Sequence, residues 1–177
     1  MAALDAFQCV AAKLDLREFD PKQVPSEVKL KVLEAARMTG SGSNIQHWKF
    51  ILVQDRENLG KLARDSTSGK WVEGANFAVI VLTTPRFGFH LIDAGRVAQN
   101  MQLAAWNYGV ASGVFTGMNQ AALEKDFEIS SDLTASIVVG FGYPLRKIIG
   151  RKNRKPIEEL VFAERYGEPF DPQQLKT

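Results

Sequence analysis

The sequence predicts an α+β fold in which helices flank and separate a few strands. Residues 93–108 repeat apolar side chains at helical spacing. Residues 50–53 and 77–82 are instead short runs rich in Val, Ile and Phe, which are typical of buried strands. Because helical segments lie between the predicted strands, consecutive strands are too far apart to form simple hairpins.

Two helices are predicted in the N-terminal part of the chain. Residues 5–14 bring Cys9 and its apolar neighbours to one helical face, and residues 27–38 do the same with Val28 and Val32. Two prolines separate these helices. A cysteine on the apolar side of a helix is expected to pack in the core rather than act as a nucleophile.

The next segment alternates strands with polar connections. Residues 40–44 read Gly-Ser-Gly-Ser-Asn, which predicts a loop after the second helix. A buried strand is predicted over 50–53, a helix over 57–64, a central strand over 77–82 and a loop over 85–89.

The clearest helical pattern covers residues 93–108. Asp93 is placed to cap its first turn, and Gly109 follows where a left-handed residue often ends a helix. Most of its apolar residues are small, which lets another backbone approach closely. We therefore expect this helix to be central or to lie at a subunit interface.

The C-terminal part predicts two more strands and two helices. A strand over 110–116 is followed by a helix over 121–127 and a strand over 136–139, which residues 140–144 are expected to end. A last helix is predicted over 157–166, after a proline and before a glycine.

Length and composition predict one globular domain over residues 1–177. Hydrophobic residues make up 45% and charged residues 24% of the chain, which excludes low-complexity and disordered classes. One cysteine and two histidines exclude an intrachain disulfide and a Cys- or His-rich metal site. The same cysteine count fits a cytoplasmic protein.

No membrane or secretory segment is expected. The chain starts at Met1 without a basic and then apolar stretch, so no signal peptide is visible. The longest apolar run, residues 77–82, is far short of the roughly 20 residues that cross a bilayer.

Positive charge is concentrated in one segment. Six bases lie within ten residues that carry no acid: Arg146, Lys147, Arg151, Lys152, Arg154 and Lys155. The remaining chain has 16 bases against 20 acids. Three interpretations stay open from charge alone: a solvated loop, a site for a small phosphate-bearing molecule, and a nucleic-acid surface. The last is disfavoured because the segment has no aromatic residue for stacking.

Familiar catalytic signatures are absent. The sequence has no Gly-x-Gly-x-x-Gly after a strand, no Gly-Lys-Ser/Thr loop and no Gly-x-Ser-x-Gly elbow. Four polar clusters remain instead, at residues 13–17, 41–46, 115–117 and 152–154. They supply cations for phosphate, amides for ring edges or sugar hydroxyls, and glycines for close backbone approach.

The order of these clusters resembles the FMN-dependent nitroreductase family over about residues 5–165. The family's first helix ends in Arg-x-Ser-x-Arg/Lys-x-Phe, which Lys13, Asp15, Arg17 and Phe19 match. Its second helix ends in Ala-Pro-Ser-x-x-Asn-x-Gln-Pro-Trp, which residues 38–48 match as Met-Thr-Gly-Ser-Gly-Ser-Asn-Ile-Gln-His-Trp.

Later segments continue the resemblance. The helix over 93–108 resembles the family's central helix at the dimer interface, and residues 140–144 resemble its closing Gly-Tyr-Pro. Lys152 and Arg154, followed by a proline, resemble the family's Lys-x-Arg-x-Pro phosphate clamp.

The sequence departs from the family pattern at several positions. Gly40 and His47 replace the usual prolines, and Leu14 and Asp15 replace polar or small residues. The region over 66–74 is shorter than in longer members of the family, where it includes residues near the flavin pyrimidine edge. Lys70 is the candidate for that position here.

The resemblance implies a nitroreductase-like fold, with a mixed or antiparallel sheet, in an intertwined homodimer that binds FMN and takes electrons from NADH or NADPH. It assigns the cofactor-binding residues to the four clusters. These are Lys13, Leu14, Asp15, Arg17, Ser41, Ser43, Asn44, Gln46, Phe115, Thr116, Gly117, Lys152 and Arg154.

Roles within that set follow from the same resemblance. Lys13, Lys152 and Arg154 would hold the phosphate, and Arg17 would be the cation that stabilises the reduced flavin. The Thr116 amide would face the reactive nitrogen, and the loop over 41–46 would come from the second subunit. Two interpretations stay open for Phe87, Phe89, Trp71 and His90: they line a cover over the substrate, or they pack in the core and its loops.

The implied activity is ping-pong reduction of nitroaromatic, quinone or similar small molecules, without nucleic-acid or membrane partners and without a catalytic acid or base. Two alternatives stay open. One is specialised flavin chemistry on the same fold, of the dehalogenase, dehydrogenase or flavin-destructase type. The other is a flavin-binding protein without enzymatic activity.

Overall fold

The computed structural model describes residues 5–148 and 152–175. The expectations for Met1 and Arg151 lie outside these residues. Five α-helices are present: α1 (Ala6–Ala12), α2 (Ser26–Arg37), α3 (Arg56–Arg64), α4 (His90–Asn107) and α5 (Gln120–Asp126). The strands are β1 (Phe19–Asp20), β2 (Lys49–Val53), β3 (Phe77–Thr83), β4 (Ala111–Phe115) and β5 (Thr134–Pro144).

The five strands form one antiparallel sheet. β3 pairs with β2 on one side and with β5 on the other, while β4 and the short β1 both pair with β5. α3 connects β2 to β3, and α5 connects β4 to β5. The prediction of a mixed or antiparallel sheet without simple hairpins is therefore confirmed, and the sheet is the antiparallel one of the two.

Alternation along β3 divides the interior into two cores. Phe77, Val79 and Val81 belong to the core that contains Val32 of α2 and Val97 of α4. The intervening residues Ala78, Ile80 and Leu82 belong to the core that contains Leu59 of α3 and Leu123 of α5. Because successive strand residues point to opposite faces, β3 is buried along its whole length.

Local capping explains where two helices begin and end. Asp5 and Gln8 form a reciprocal capping box at α1. α4 begins at His90, so the prediction that Asp93 caps it is wrong: Asp93 lies in the first turn and its side chain is buried. Gly109 has φ +71°, which confirms the left-handed residue after α4.

Two further predictions about the C-terminal part are wrong. β5 does not end at residue 139 but continues through Pro144, because the ladder to β3 and β4 includes Gly140 and Gly142. A side chain at either glycine would collide with Trp71 or Phe19. The glycines therefore make room for neighbouring rings rather than end the strand.

The helix predicted over 157–166 is also absent. Only Ile157–Glu159 forms a short 3₁₀ turn, and Phe162 then bridges to Pro169. Most residues over 152–175 are exposed, so the apolar face of this segment has no core to pack against. A short helix without such packing is marginal in water.

Within the described ranges, no helix is long and apolar enough to span a membrane.

Candidate functional site

A basic cluster forms where the C-terminal segment returns to the end of α1. Lys13 is buried, and its Nζ donates to Asp15 Oδ1 at 2.9 Å. Lys152 donates from its Nζ to the carbonyl oxygen of Val10. Partial burial, followed by the neighbouring charges of Arg154 and Lys13, lowers the pKa of Lys152. The structure thus brings Lys13, Asp15 and Lys152 together at the end of α1, with Arg154 close enough for its charge to act on Lys152.

The carboxylate of Asp15 is tied into the body of the protein. Besides Lys13, its Oδ1 accepts from Gln102 Nε2 of α4 at 2.7 Å. Gln102 Nε2 also donates to Ser112 Oγ of β4 at 3.1 Å. The backbone N–H of Leu16 donates to the Ser112 carbonyl at 2.9 Å. α4 and β4 therefore fix the extended segment that carries the first polar cluster.

Glycine makes this attachment possible. A Cβ on Gly113 of β4 would lie 2.5 Å from the Leu16 carbonyl oxygen and 2.8 Å from the Trp71 ring. Contacts under 3.0 Å require one of the atoms to move. The segment over 13–17 therefore depends on the missing side chain at residue 113.

Arg17 lies next to this cluster in an open cleft. One wall is residues 14–18 and the other is residues 144–148, so Leu14, Arg17 and Arg146 share the cleft. Arg17 is exposed. Among the described residues it forms no ion pair within 4.0 Å, which leaves its charge available to a ligand.

The loop over 41–46 is a compact turn in unusual backbone geometry. Ser43, Asn44 and Gln46 have φ of 50°, 55° and 52°, which is the left-handed region. Inside the turn, Gln46 N donates to Ser41 Oγ at 2.9 Å, and Asn44 N donates to the Ser41 carbonyl at 3.0 Å. Non-glycine residues hold such conformations only when their surroundings impose them.

A buried carboxylate beneath this loop was not identified by sequence reasoning. Asp93 Oδ2 accepts from Gly42 N at 2.9 Å and lies 3.3 Å from His47 Nε2. Its Oδ1 accepts from Arg96 at 3.3 Å. The only sequence signals were the expected cap at Asp93 and the histidine at a usual proline position, which lie 46 residues apart.

Aromatic side chains surround His47 in the same region. The rings of Phe87 and Phe89 stack with centroids 5.6 Å apart, and each lies within 6 Å of the His47 ring. His90 is engaged elsewhere, through a 2.9 Å hydrogen bond between its Nδ1 and Thr83 Oγ1. Phe87 and Phe89 thus pack under the loop over 41–46 as a pair.

The polar cluster at residues 115–117 mainly packs and bonds within the protein. The Phe115 ring is buried and meets Trp71 edge-on, with centroids 5.7 Å apart. The Gly117 carbonyl accepts from Thr67 N at 2.9 Å, while Thr116 is exposed at the end of β4. Trp71 therefore packs inside the protein and not with Phe87 and Phe89. Lys70, which precedes it, is exposed.

The basic cluster and the loop over 41–46 both contact α4, but at different places. Asp93 and Gln102 are nine residues apart, which corresponds to about 14 Å along the helix axis and to opposite sides of the helix. A single chain therefore does not bring the loop over 41–46 to the basic cluster.

A largely apolar stripe on α4 belongs to neither core. Ile92, Gly95 and Gln99 are exposed, and Leu103 continues the row as a partly exposed residue. Their spacing of three and four residues places them on one side of the helix, and Gln99 is the only polar residue among the four. These four residues are called the α4 stripe below.

Exposed apolar residues also occur in the C-terminal segment, at Ile157, Leu160, Phe162 and Tyr166.

No group of three or more potential metal-ligating side chains occurs in the part of the chain that the structure describes.

The sequence is similar to a family model and to known relatives. The model of the Nitroreductase family matches residues 14–86 and 65–143. An Archaeoglobus fulgidus protein with the provisional name NADH dehydrogenase/NAD(P)H nitroreductase is 28% identical over 149 residues, which cover 79% of this chain and 86% of that protein. NADPH-flavin oxidoreductase of Vibrio harveyi is 22% identical over 93% of this chain and 75% of its own length.

Solved structures share the fold. A protein from Bacteroides thetaiotaomicron with the same provisional name as the Archaeoglobus relative has a TM-score of 0.84 at 24% identity, covering 93% of this chain and 100% of that chain. An FMN-dependent nitroreductase from Clostridium difficile has a TM-score of 0.81 at 19% identity, covering 88% and 96%.

Proposed function

Since the chain belongs to the nitroreductase family, we propose that it is an FMN-dependent oxidoreductase that takes electrons from NADH or NADPH. Its acceptor would be a nitroaromatic, a quinone or a similar small molecule. The observation that carries the proposal is the convergence of Lys13, Lys152 and Arg154 beside the cleft that contains Arg17.

The residues present fit FMN. Three cations match a terminal phosphate, because ammonium and guanidinium groups form charge-assisted hydrogen bonds to phosphate oxygens. Asp15 would repel a phosphate, but its Oδ1 is already bonded to Lys13 and Gln102. Its exposed side is free to accept from a ribityl hydroxyl.

FMN would supply the electron-transfer chemistry, and this chain would bind and tune it. Lys13, Lys152 and Arg154 would hold the phosphate, and Arg17 would place positive charge at the pyrimidine side of the ring. The exposed backbone at Thr116 would border the ring at the end of β4. Because donor and acceptor would use the same open face in turn, we expect ping-pong kinetics.

The loop over 41–46 would reach FMN from a second copy of the chain. Support comes from the separation of this loop and the basic cluster along α4. The α4 stripe provides a largely apolar surface for that copy. Ser41, Ser43, Asn44 and Gln46 would then bond to the ring edge and ribityl chain across the interface of a homodimer. We place this dimer in the cytoplasm, on the strength of the single buried cysteine.

A ligand comparison tests the proposal. The purified protein should bind FMN more tightly than riboflavin, and its yellow absorbance should bleach when NADH or NADPH is added. Changing Lys152→Gln together with Arg154→Gln should weaken FMN binding at least tenfold and leave riboflavin binding nearly unchanged. Lys125→Gln on α5 is the matched control. A protein that binds neither flavin, or binds both equally well, would overturn the proposal.

A further inference from the structure

We infer that Asp93 is a positioning residue: it accepts from the Gly42 N–H and so holds the loop over 41–46 in its strained conformation, while His47 and Arg96 hold its carboxylate in place. This inference rests on the proposed function, because the loop is valuable only if it contacts a ligand. It assigns a role to three side chains that lie outside the four polar clusters.

The loop needs an external constraint. Its left-handed residues, Ser43, Asn44 and Gln46, all carry a Cβ that disfavours this backbone region. The hydrogen bonds inside the turn end on Ser41, Gly42 and Asn44 and do not attach the turn to the rest of the protein. The remaining attachment runs through Gly42, whose N–H donates to Asp93.

Asp93 has the properties of such an attachment point. The residue is 1% exposed, so its carboxylate requires hydrogen-bond donors to offset the loss of water. Those donors are one backbone N–H of the loop, the imidazole of His47 and the guanidinium of Arg96. Asp93 itself sits in the first turn of α4, which packs against α2 and the sheet.

His47 connects the carboxylate to the end of β3. Thr84 N donates to His47 Nδ1 at 3.3 Å, so Nδ1 is the unprotonated nitrogen of the neutral ring. Nε2 then carries the proton and donates to Asp93. Thr84 Oγ1 also donates to the His47 carbonyl at 3.3 Å. Both ring nitrogens are thus used, and the residue that follows the loop is fixed in place.

Arg96 closes the arrangement from the other side of the loop. A Cβ on Gly40 would lie 2.7 Å from the Arg96 guanidinium. The absence of a side chain at residue 40 therefore lets the Arg96 guanidinium lie against the Gly40 backbone. Gly40 and His47 are the two positions at which this chain lacks the prolines of the family pattern. Both now contact the Asp93–Arg96 pair, so a buried polar tether does here what restricted proline backbones would do.

Hydrogen exchange of the flavin-free protein tests the tether directly. Asp93→Asn and His47→Leu should speed exchange at the amides of residues 42–46 about tenfold or more, because the first removes the buried charge that the loop amide bonds to and the second removes a donor to that charge. Amides of β3 should keep their wild-type rates. His47→Gln retains a side-chain donor for Asp93, so its loop should exchange more slowly than that of His47→Leu. Asp55→Asn, at an exposed carboxylate, is the matched control.

Flavin affinity is the second measurement. FMN should bind Asp93→Asn and His47→Leu about tenfold more weakly than wild type, with His47→Gln in between. If Asp93→Asn fails to fold, the comparison of Leu with Gln at residue 47 decides. Equal acceleration of loop and β3 amides in both variants, or unchanged exchange and affinity, would overturn the inference alone. Failure of the wild type to bind FMN would overturn the proposed function, while the exchange rates would still test the tether.

Discussion

Asp15 determines the net charge beside the proposed phosphate site. Its Oδ1 pairs with Lys13 at 2.9 Å, and its side chain is about half exposed. Replacing it as Asp15→Asn removes the one negative charge from a cluster of three cations. We expect FMN to bind up to about fivefold more tightly. The gain is small because solvent screens the repulsion between the exposed Asp15 carboxylate and a phosphate. Isothermal titration at low and high salt measures the change, and Asp20→Asn controls for net charge.

The same variant separates two roles of Asp15. If the carboxylate also bonds a ribityl hydroxyl, Asp15→Asn weakens riboflavin binding, although FMN binding still gains from the lost negative charge. If it acts only through its charge, riboflavin affinity stays constant. Weaker binding of FMN and riboflavin alike would contradict the predicted gain.

Arg17 is the residue expected to tune the flavin. It is exposed in the cleft, where its charge would favour the reduced, anionic form of a bound flavin. Arg17→Ala should therefore lower the reduction potential of bound FMN, whereas Arg17→Lys should keep most of it. A reductive titration against dyes of known potential measures this difference. An unchanged potential in Arg17→Ala would remove the assigned role.

Single residues were predictable from sequence where a motif kept them together. Lys13 and Asp15 are two residues apart, and Lys152 and Arg154 form a recognisable pair, so both pairs could be named from the sequence, and their assignment to one flavin site stays a prediction. Asp93 and His47 were missed because their bond joins the first turn of α4 to a loop 46 residues earlier. No local pattern specifies that pairing. From the sequence alone, an aspartate near the start of a helix is therefore interpreted as its cap, even when it is buried and bonded elsewhere.

Among the elements, β4 carries the attachment of the extended segment over 13–17. Gly113→Ala would place a Cβ against the Leu16 backbone oxygen, which cannot rotate away. We expect a loss of about 1–3 kcal/mol in the free energy of unfolding and weaker FMN binding. Chemical denaturation and flavin titration measure the two effects.

A second glycine provides the contrasting control. Gly60 lies within α3 with open space around its would-be Cβ. Gly60→Ala should raise the free energy of unfolding by about 1 kcal/mol through helix propensity alone. If both substitutions shift stability in the same direction, the packing argument for Gly113 is wrong.

Elements were predictable in proportion to the surface they bury. β3 and α4 carry strict apolar patterns because each packs against the cores, and both were predicted within a few residues. The pattern over 157–166 has similar periodicity, but no layer formed by the described parts of the chain covers it. β5 was predicted too short because its glycines read as breaks, whereas they accommodate Trp71 and Phe19.

At the scale of the whole molecule, the described residues leave one face of the helical layer uncovered. α4 contributes Val97 and Met101 to the core, yet the α4 stripe stays exposed or partly exposed. Gly95 in the middle of this stripe has open space where a Cβ would stand, so a second helix can approach closely there. A second copy of the same chain would cover this face and would bring its own loop over 41–46 to the basic cluster.

Charge placed on that stripe tests the dimer. Ile92 is 67% exposed and lies in the first turn of α4, where an acidic side chain is favourable to the helix itself. In a two-fold symmetric pair, Ile92→Glu would place a buried carboxylate on both copies. We therefore expect sedimentation to show a folded monomer with FMN affinity reduced more than tenfold. Lys125→Glu on α5, across the sheet, should remain a dimer. An Ile92→Glu protein that is dimeric and binds FMN like wild type would place the partner, and the shared site, on another face.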